Sequence, residues 1–247
     1  MYEKFLLSLQ QKSADMRKNY EELDKIWDLS PVWDLLSPDQ KKYIEEHSEV
    51  KKFRKNEVIH QEDDAPDYVM VIAAGTIRLT KEGVGQRVQI IRLLNRRDSF
   101  GYRSAVAGDR HSSCATAIEP TMVYRVERLA FLEVIKQNNE FCFGVLELMS
   151  NDLAISESRT VNLTQKHIRG RLAETLLTLK QTYGMDEDGV TIAMYMARED
   201  LANMSNMTTS NAIRTLSQFA SEGIISLDGR KIKLLDESEL TRISRLG

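Results

Sequence analysis

The chain has 247 residues, 42% hydrophobic and 29% charged, with a formal net charge of -3. That is the composition of a globular protein of one large or two small domains, and no apolar run is long enough to span a bilayer. Two cysteines, Cys114 and Cys142, give neither a disulfide framework nor the four thiolates an iron–sulfur cluster requires.

In chain order, Met1 to about Lys25 reads as a helix, with Phe5, Leu6, Leu9 and Met16 roughly helix-spaced among charges. The opening MYEKFLLSLQQK is short, acidic at Glu3 and then polar. It lacks the layout of a secretory leader, so the expected location is cytoplasmic. After PVWDLLSP, Ser37-Pro38-Asp39-Gln40 opens a second helix, a cap followed by proline in the first turn.

From Val50 to Val126 short β-rich runs alternate with turns: VKKFRKNEVIH, DYVMVIAAGTIRLTKEG, RVQIIRLLNRRDSFG and SCATAIEPTMVYRV. Strands at this spacing predict a small β-barrel or sandwich. Gly75 sits where a turn glycine belongs, and Lys81 to Gln86 is a hairpin tip.

At Glu127 the period changes. Arg128 to Lys136 is a short helix, and a long one runs from about Phe141 to Thr164. Leu146, Met149, Leu153, Ser156, Thr160 and Leu163 recur at alternating spacings of three and four, a coiled-coil seam that begins apolar and ends polar. His167 to Lys180 is another amphipathic helix, followed by a loop at Tyr183-Gly-Met-Asp-Glu-Asp-Gly.

Arg198 to Ile225 has the pattern of a helix-turn-helix. Glu199 to Met204 form a first short helix, Ser205-Asn206-Met207 break it, and Thr208 restarts a second. Ala212, Ile213, Leu216 and Phe219 fall along the second helix's apolar face. Thr208, Thr209 or Ser210 caps it, since a hydroxyl satisfies an orphan backbone N–H. The face left over carries Thr209, Ser210, Asn211 and Arg214, short polar groups and one guanidinium suited to guanine and phosphate in a major groove. The alternative is an ordinary two-helix surface with a solvated arginine. Asp228-Gly229 then marks a hairpin, a wing carrying Arg230, Lys231 and Lys233.

Charge balance limits this reading. From Gln165 onward there are 11 basic and 11 acidic residues, so that part is neutral and has no bulk basic field. Affinity for nucleic acid must come from a local face, with Arg198, Arg214, Arg230, Lys231 and Lys233 as its cations.

A β-barrel, a seam helix and a winged helix-turn-helix in this order resemble the Crp/Fnr family, that of the cyclic AMP receptor protein and the fumarate–nitrate reductase regulator. The resemblance runs roughly from Trp33 to Leu235, most specifically in RGRLAETLL through the wing and in DYVMVIAAGTIRL. It implies an α+β fold: an N-terminal extension (1–30), a cyclic-nucleotide-binding-like jelly-roll barrel (31–140), a dimerisation helix (141–165) and a winged helix-turn-helix domain (166–247). It further implies a homodimeric, effector-sensing transcription regulator on palindromic double-stranded DNA, with one recognition helix per subunit entering major grooves roughly 34 Å apart. RNA polymerase is the implied protein partner.

The family's roles carry over unevenly. The recognition arginine falls on Arg214, and the usual glutamate one turn earlier falls on Ser210, which cannot accept from cytosine as a carboxylate does. Arg198 falls on a phosphate-contacting position, and Thr208 to Asn211, Arg230 and Lys231 complete the expected DNA face. In cyclic-AMP-binding members a glycine–glutamate pair holds the ribose and an arginine–serine pair the phosphate. Here these are Gly101 and Tyr102, then His111 (or Arg110 with a one-residue gap) followed by Ser112 and Ser113. The long helix's adenine-contacting pair falls on Ser156 and Glu157. Losing the ribose carboxylate and the fixed phosphate cation argues against cyclic AMP. Cyclic-nucleotide control, or haem sensing through His111, stands as the alternative within the family.

An enzyme is not expected. No His-x-His pair of a cupin-type metal site occurs, nor a Ser/His/Asp set or Gly-rich phosphate loop. A cyclic-nucleotide-binding regulatory subunit would share the barrel but would not need Arg198 to Lys233.

Overall fold

The computed structural model describes residues 24–246. The helix expected from Met1 to about Lys25 therefore lies almost wholly outside the described residues. The chain divides into two compact units: one holds 93–147 with the chain up to Leu79, the other 80–92 with the chain from Leu148 onward.

Among the described residues the first unit begins with three short helices, α1 (Ile26–Leu29), α2 (Pro31–Asp34) and α3 (Pro38–Glu46). Ser37 caps α3 as expected: its hydroxyl accepts from the Gln40 N–H, and the Gln40 side chain answers the Ser37 N–H at 3.1 Å. Eight strands follow: β1 (Ser48–Phe53), β2 (Val58–His60), β3 (Tyr68–Ala74), β4 (Ile77–Glu82), β5 (Val88–Leu94), β6 (Ser99–Phe100), β7 (Cys114–Ala117) and β8 (Thr121–Glu127). They form two four-stranded sheets, ordered β1-β8-β3-β6 and β2-β7-β4-β5. The apolar interior holds Phe53, Met70, Ile72, Ile77, Leu94, Phe100 and Val123. A short helix, α4 (Tyr102–Ala107), interrupts the strands before β7.

The continuous run in β3 follows from burial on both faces. Val69 to Ala73 are all buried, and α1 and α5 (Arg128–Gln137) pack on this strand. A strand covered on both sides has no reason to alternate. Gly75 turns the chain into β4 at φ +89°, where a Cβ would stand 2.5 Å from Thr121 Oγ1 and 2.7 Å from the Pro120 carbonyl oxygen. Only glycine fits that turn. The β4–β5 tip closes with a single 3-10 turn at Val84–Gln86, within the expected hairpin tip.

Helix α6 (Asn139–Gln165) is the long helix the seam predicts. Its first turns are anchored by Phe141, which meets Trp33 edge-on at 5.4 Å, and by Gly144, whose missing Cβ lets Val32 and Leu35 approach. Several of its apolar residues stay uncovered among the described residues: Phe143 is 64%, Leu146 52% and Leu153 60% exposed.

The second unit continues through α7 (Ile168–Tyr183), α8 (Arg198–Met204), α9 (Thr209–Ser221), the hairpin β9 (Ile225–Asp228) and β10 (Lys231–Leu234), and α10 (Glu237–Leu246). Sequence reading stopped at Leu235 and missed α10. The helix buries Leu240 and Ile243 and packs on α7. Asp236 starts it, its carboxylate accepting from the Glu239 N–H at 2.9 Å.

Two local readings need correction. Ile213 does not join the apolar face of α9: it is 48% exposed, and Ala212, Thr215, Leu216 and Phe219 are the buried set. At about 100° per residue, position 213 lies one step round the helix from 212. The wing turn is also one residue later than the Asp-Gly signal, because Asp228 pairs with Lys231 and leaves Gly229-Arg230 as the loop.

Candidate nucleic-acid interface and sensor site

The turn between α8 and α9 is built around a buried serine. The Ser205 hydroxyl donates to the Leu201 carbonyl at 2.8 Å and meets the Thr175 hydroxyl of α7 at 2.8 Å. Asn206 takes a left-handed φ of +50°, which asparagine tolerates. Thr208 is the cap, accepting from the Asn211 N–H at 3.3 Å. Of the three capping candidates in sequence, it is the one in extended conformation ahead of the first turn.

This start aims one face of α9 outward. Thr209, Ser210, Ile213 and Arg214 are exposed and Asn211 is half-buried. Among the described residues Arg214 has no hydrogen-bond or ion-pair partner, so its guanidinium is free to donate. Sequence reading missed Ile213 as a member of this face. The signal lay in its spacing: 209, 210, 213 and 214 form an i, i+1, i+4, i+5 stripe.

The flanking cations differ from one another. Arg198 is already engaged: one amino group donates to the Gly229 carbonyl of the wing turn at 2.7 Å, and its other, Nη1, is buried without a partner. Arg230 and Lys231 are exposed at the wing tip, with Lys231 lying 5.4 Å from the centre of the Tyr195 ring. Lys233 faces the acidic loop at 3.7 Å from Asp188. Asp188 accepts from the Thr191 hydroxyl, the Thr191 N–H and the Val190 N–H, which holds its carboxyl down at about 2. It is therefore anionic beside the wing at any working pH.

In the barrel, the residues expected around an effector are mostly occupied with one another. Gly101 begins α4 at φ +83°, with the Tyr68 carbonyl 3.0 Å from where a Cβ would be. Tyr102 is 4% exposed, so its side chain belongs to the interior. His111 is also buried, stacked on His60 at 3.8 Å. Its backbone is pinned to the 63–64 loop through the Asp64 carbonyl at 3.0 Å and the Asp63 N–H at 2.8 Å. Arg110 donates to the Asp63 carbonyl. Ser113 is buried, and Ser112 accepts from Arg103. The guanidinium that meets this serine thus comes from Arg103, which sequence reading passed over in favour of Arg110 and His111. Ser156 belongs to the other unit, with an exposed side chain. The pairing of His60 with His111 is a tertiary fact with no local signature in the sequence. Among the described residues no three His, Cys, Asp or Glu side chains group in a way that holds a metal ion, and no helix is long and apolar enough to cross a membrane.

Residues 50–138 match the family described as the cyclic nucleotide-binding domain, and 170–243 match the Crp-like helix-turn-helix domain. The chain is 23% identical over 194 residues to the CRP-like cAMP-activated global transcriptional regulator of Mycobacterium tuberculosis, covering 78% of this chain and 87% of that one. It is 27% identical to the nitrogen fixation regulation protein FixK of Azorhizobium caulinodans, covering 77% of each. The solved structure of FixK2 from Bradyrhizobium japonicum superposes with a TM-score of 0.72 at 26% identity, over 79% of this chain and 96% of that one. The barrel, the long helix and the winged helix-turn-helix thus agree with both family matches: this chain belongs to the Crp/Fnr family of DNA-binding transcription regulators, which sense an effector through the N-terminal domain, typically act as dimers and are not enzymes.

Proposed function

We propose that the protein is a homodimeric, cytoplasmic regulator that reads a palindromic duplex through α9 and its wing, without cyclic AMP as its effector. The observation that carries the DNA reading is the outward stripe of α9: Thr209, Ser210, Ile213 and the unengaged Arg214. Arg214 reads guanine by two parallel hydrogen bonds, and Ile213 offers methyl groups to a thymine C5-methyl. Thr208, Thr209, Ser210 and Asn211 serve phosphates and neighbouring base edges. Arg230 and Lys231 meet phosphate. Arg198 contributes by holding the wing turn through the Gly229 carbonyl. The functional division follows the sequence: an extension over 1–30, a sensor barrel over 31–140, a dimer helix over 141–165 and a DNA domain over 166–247. A dimer seated beside a promoter is placed to meet RNA polymerase.

Against cyclic AMP stand two features of the barrel. The ribose carboxylate is replaced by a tyrosine that points inward, and the place of the phosphate cation is taken by an imidazole stacked on another imidazole. An effector reaching this end meets Arg103, Ser112 and Arg110, a basic and polar rim. Haem does not fit His111: an axial nitrogen needs an open ring edge, and this ring is 5% exposed with its face against His60.

The test is selection of bound sequences from a random duplex library, followed by fluorescence anisotropy at two salt concentrations. An inverted repeat with half-sites about one helical turn apart is the expected product. Failure to enrich any sequence would overturn the reading. Melting of the protein with cyclic AMP and cyclic GMP checks the sensor half, since a ligand of the native state must raise the midpoint.

A further inference from the structure

Three consecutive carbonyls in the turn between α8 and α9 accept hydrogen bonds from two arginines. Arg171 of α7 donates from Nε to Ser205 at 2.8 Å and from Nη2 to Asn206 at 3.1 Å. Its Nη1 also donates to the Lys166 carbonyl, just past the end of α6, at 2.9 Å. The third carbonyl, that of Met204, accepts from Arg159 Nη2 at 3.2 Å. Arg159 stands on α6, and the same guanidinium donates to Ile91 at 2.7 Å and to Ile90, both on β5.

Arg159 therefore joins, within one compact unit, Ile90 and Ile91 of β5, the later half of the long helix, and the turn that launches the recognition helix. Both ends of its reach are backbone groups in need of a donor. Strand β5 ends its sheet, so one of its edges has carbonyls without a neighbouring strand. Met204 is the last residue of α8, and its carbonyl is among those a helix leaves unsatisfied. A cation is favoured at that end of a helix. All three oxygens that Arg159 meets are backbone carbonyls, and burial makes its proton easier to lose than an ordinary guanidinium's. A partly buried cation held only by carbonyl dipoles is tolerated because its planar fork reaches several of them at once. Lysine offers a single nitrogen in its place.

We propose that Arg159 is a positioning residue for DNA recognition: it ties the β4–β5 hairpin to the helix-turn-helix turn, so that the position of β5 sets how α9 is presented. A displacement of β5 along α6 cannot leave the Met204 bond untouched, because one rigid guanidinium serves both. The sensor's hairpin thereby acts on the turn directly, and the carbonyls held by Arg171 keep the rest of the turn fixed to α7. This rests on the DNA reading above.

The test uses the full chain and the duplex obtained by selection. Arg159→Met and Arg159→Lys are compared with the parent by anisotropy on the selected and a scrambled duplex, and by amide hydrogen exchange over 88–94 and 203–208. The expected result for Arg159→Met is a roughly tenfold loss of affinity for the selected duplex with little change on the scrambled one. Exchange rises in both segments together, and Arg159→Lys falls between parent and Met. Selected-site affinity unchanged within about twofold, or exchange rising in one segment only, overturns the proposal. If the Met variant does not fold, the Lys variant is judged by the same two readouts. If the parent binds no duplex, the DNA reading is what has failed, and joint or separate exchange in the two segments still decides whether Arg159 couples them.

Discussion

The imidazole of His111 lies flat on that of His60, ring centres 3.8 Å apart and planes 16° apart. Burial, then the neighbouring His111, pull His60 down from its ordinary 6.5 to about 4. Burial also lowers His111, opposed by Asp64 and Asp67 and helped by Arg103. Both rings are neutral near pH 7, and two neutral rings can stack where two cations would repel.

The pair makes stability pH-dependent in a definite direction. Between about pH 6.5 and 4 the unfolded chain binds protons that the folded His60 refuses, so stability rises with pH in that window. It is complete above the unfolded value and is lost as pH falls, by up to about 3 kcal/mol. Urea midpoints at pH 7.5 and 4.5 should therefore differ more for the parent than for His60→Phe. Equal pH sensitivity in the two proteins would remove His60 as the source.

Arg214→Ala should cost about 1–3 kcal/mol in specific binding and relax the preference at one base pair per half-site. Its exposure and its lack of a partner among the described residues make loss of a base contact the expected cause, rather than loss of fold. Unchanged affinity for the selected site, with an unchanged melting midpoint, would sink the assignment. Ser210→Glu supplies the missing carboxylate and should shift preference toward cytosine at the neighbouring pair.

The order of elements was legible because each is written locally: a cap at Ser37, a turn glycine at Gly75, a seam from Leu146, a break at Ser205-Asn206-Met207. The face of α9 was legible at Ser210 and Arg214, which polarity marks, but not at Ile213, where an exposed apolar residue looks like core. The residues expected around an effector could be named from the sequence, but their pairing could not. Arg103 with Ser112, and His60 with His111, are 9 and 51 residues apart in sequence and meet only in the folded barrel. Arg159 gave no signal at all, since a charged residue on the far side of a seam reads as solvated.

Ile213 is proposed to touch a thymine methyl, which a chemical substitution in the DNA can isolate. Replacing that thymine by deoxyuridine should weaken the parent and leave Ile213→Ala nearly unaffected, because the variant has already lost the contact. Additive losses from the two changes would place Ile213 away from the methyl.

The wing's cations should separate by salt dependence. Arg230→Ala is expected to weaken all duplexes alike and to lower the salt slope by about one. Lys233 sits 3.7 Å from Asp188, so part of its field is already cancelled. Asp188→Asn keeps acceptor capacity for the Thr191 N–H while removing the charge, and should tighten non-specific binding and steepen its salt dependence. A slope unmoved by both changes would count against a phosphate-contacting wing.

The seam of α6 is the last place where the single chain is incomplete. Leu146 is 52% and Leu153 60% exposed, and Phe143 adds an exposed ring at 64%. Further along, the polar positions turn inward on their own helix: Thr160 donates to the Ser156 carbonyl at 2.9 Å and Thr164 to that of Thr160 at 2.8 Å. Under the proposed dimer a second copy would cover this apolar half, and fully burying each such leucine is worth about 1.5–3 kcal/mol. Leu153→Glu places two carboxylates face to face across a two-fold seam. It should give a monomer by light scattering with the barrel's melting unchanged. Because each α9 then binds one half-site alone, affinity for the full palindrome should fall by roughly a hundredfold or more, while affinity for an isolated half-site stays the same. A variant that remains dimeric, or a monomer that still binds the palindrome as tightly as the parent, would show that α6 is not the seam on which DNA recognition depends.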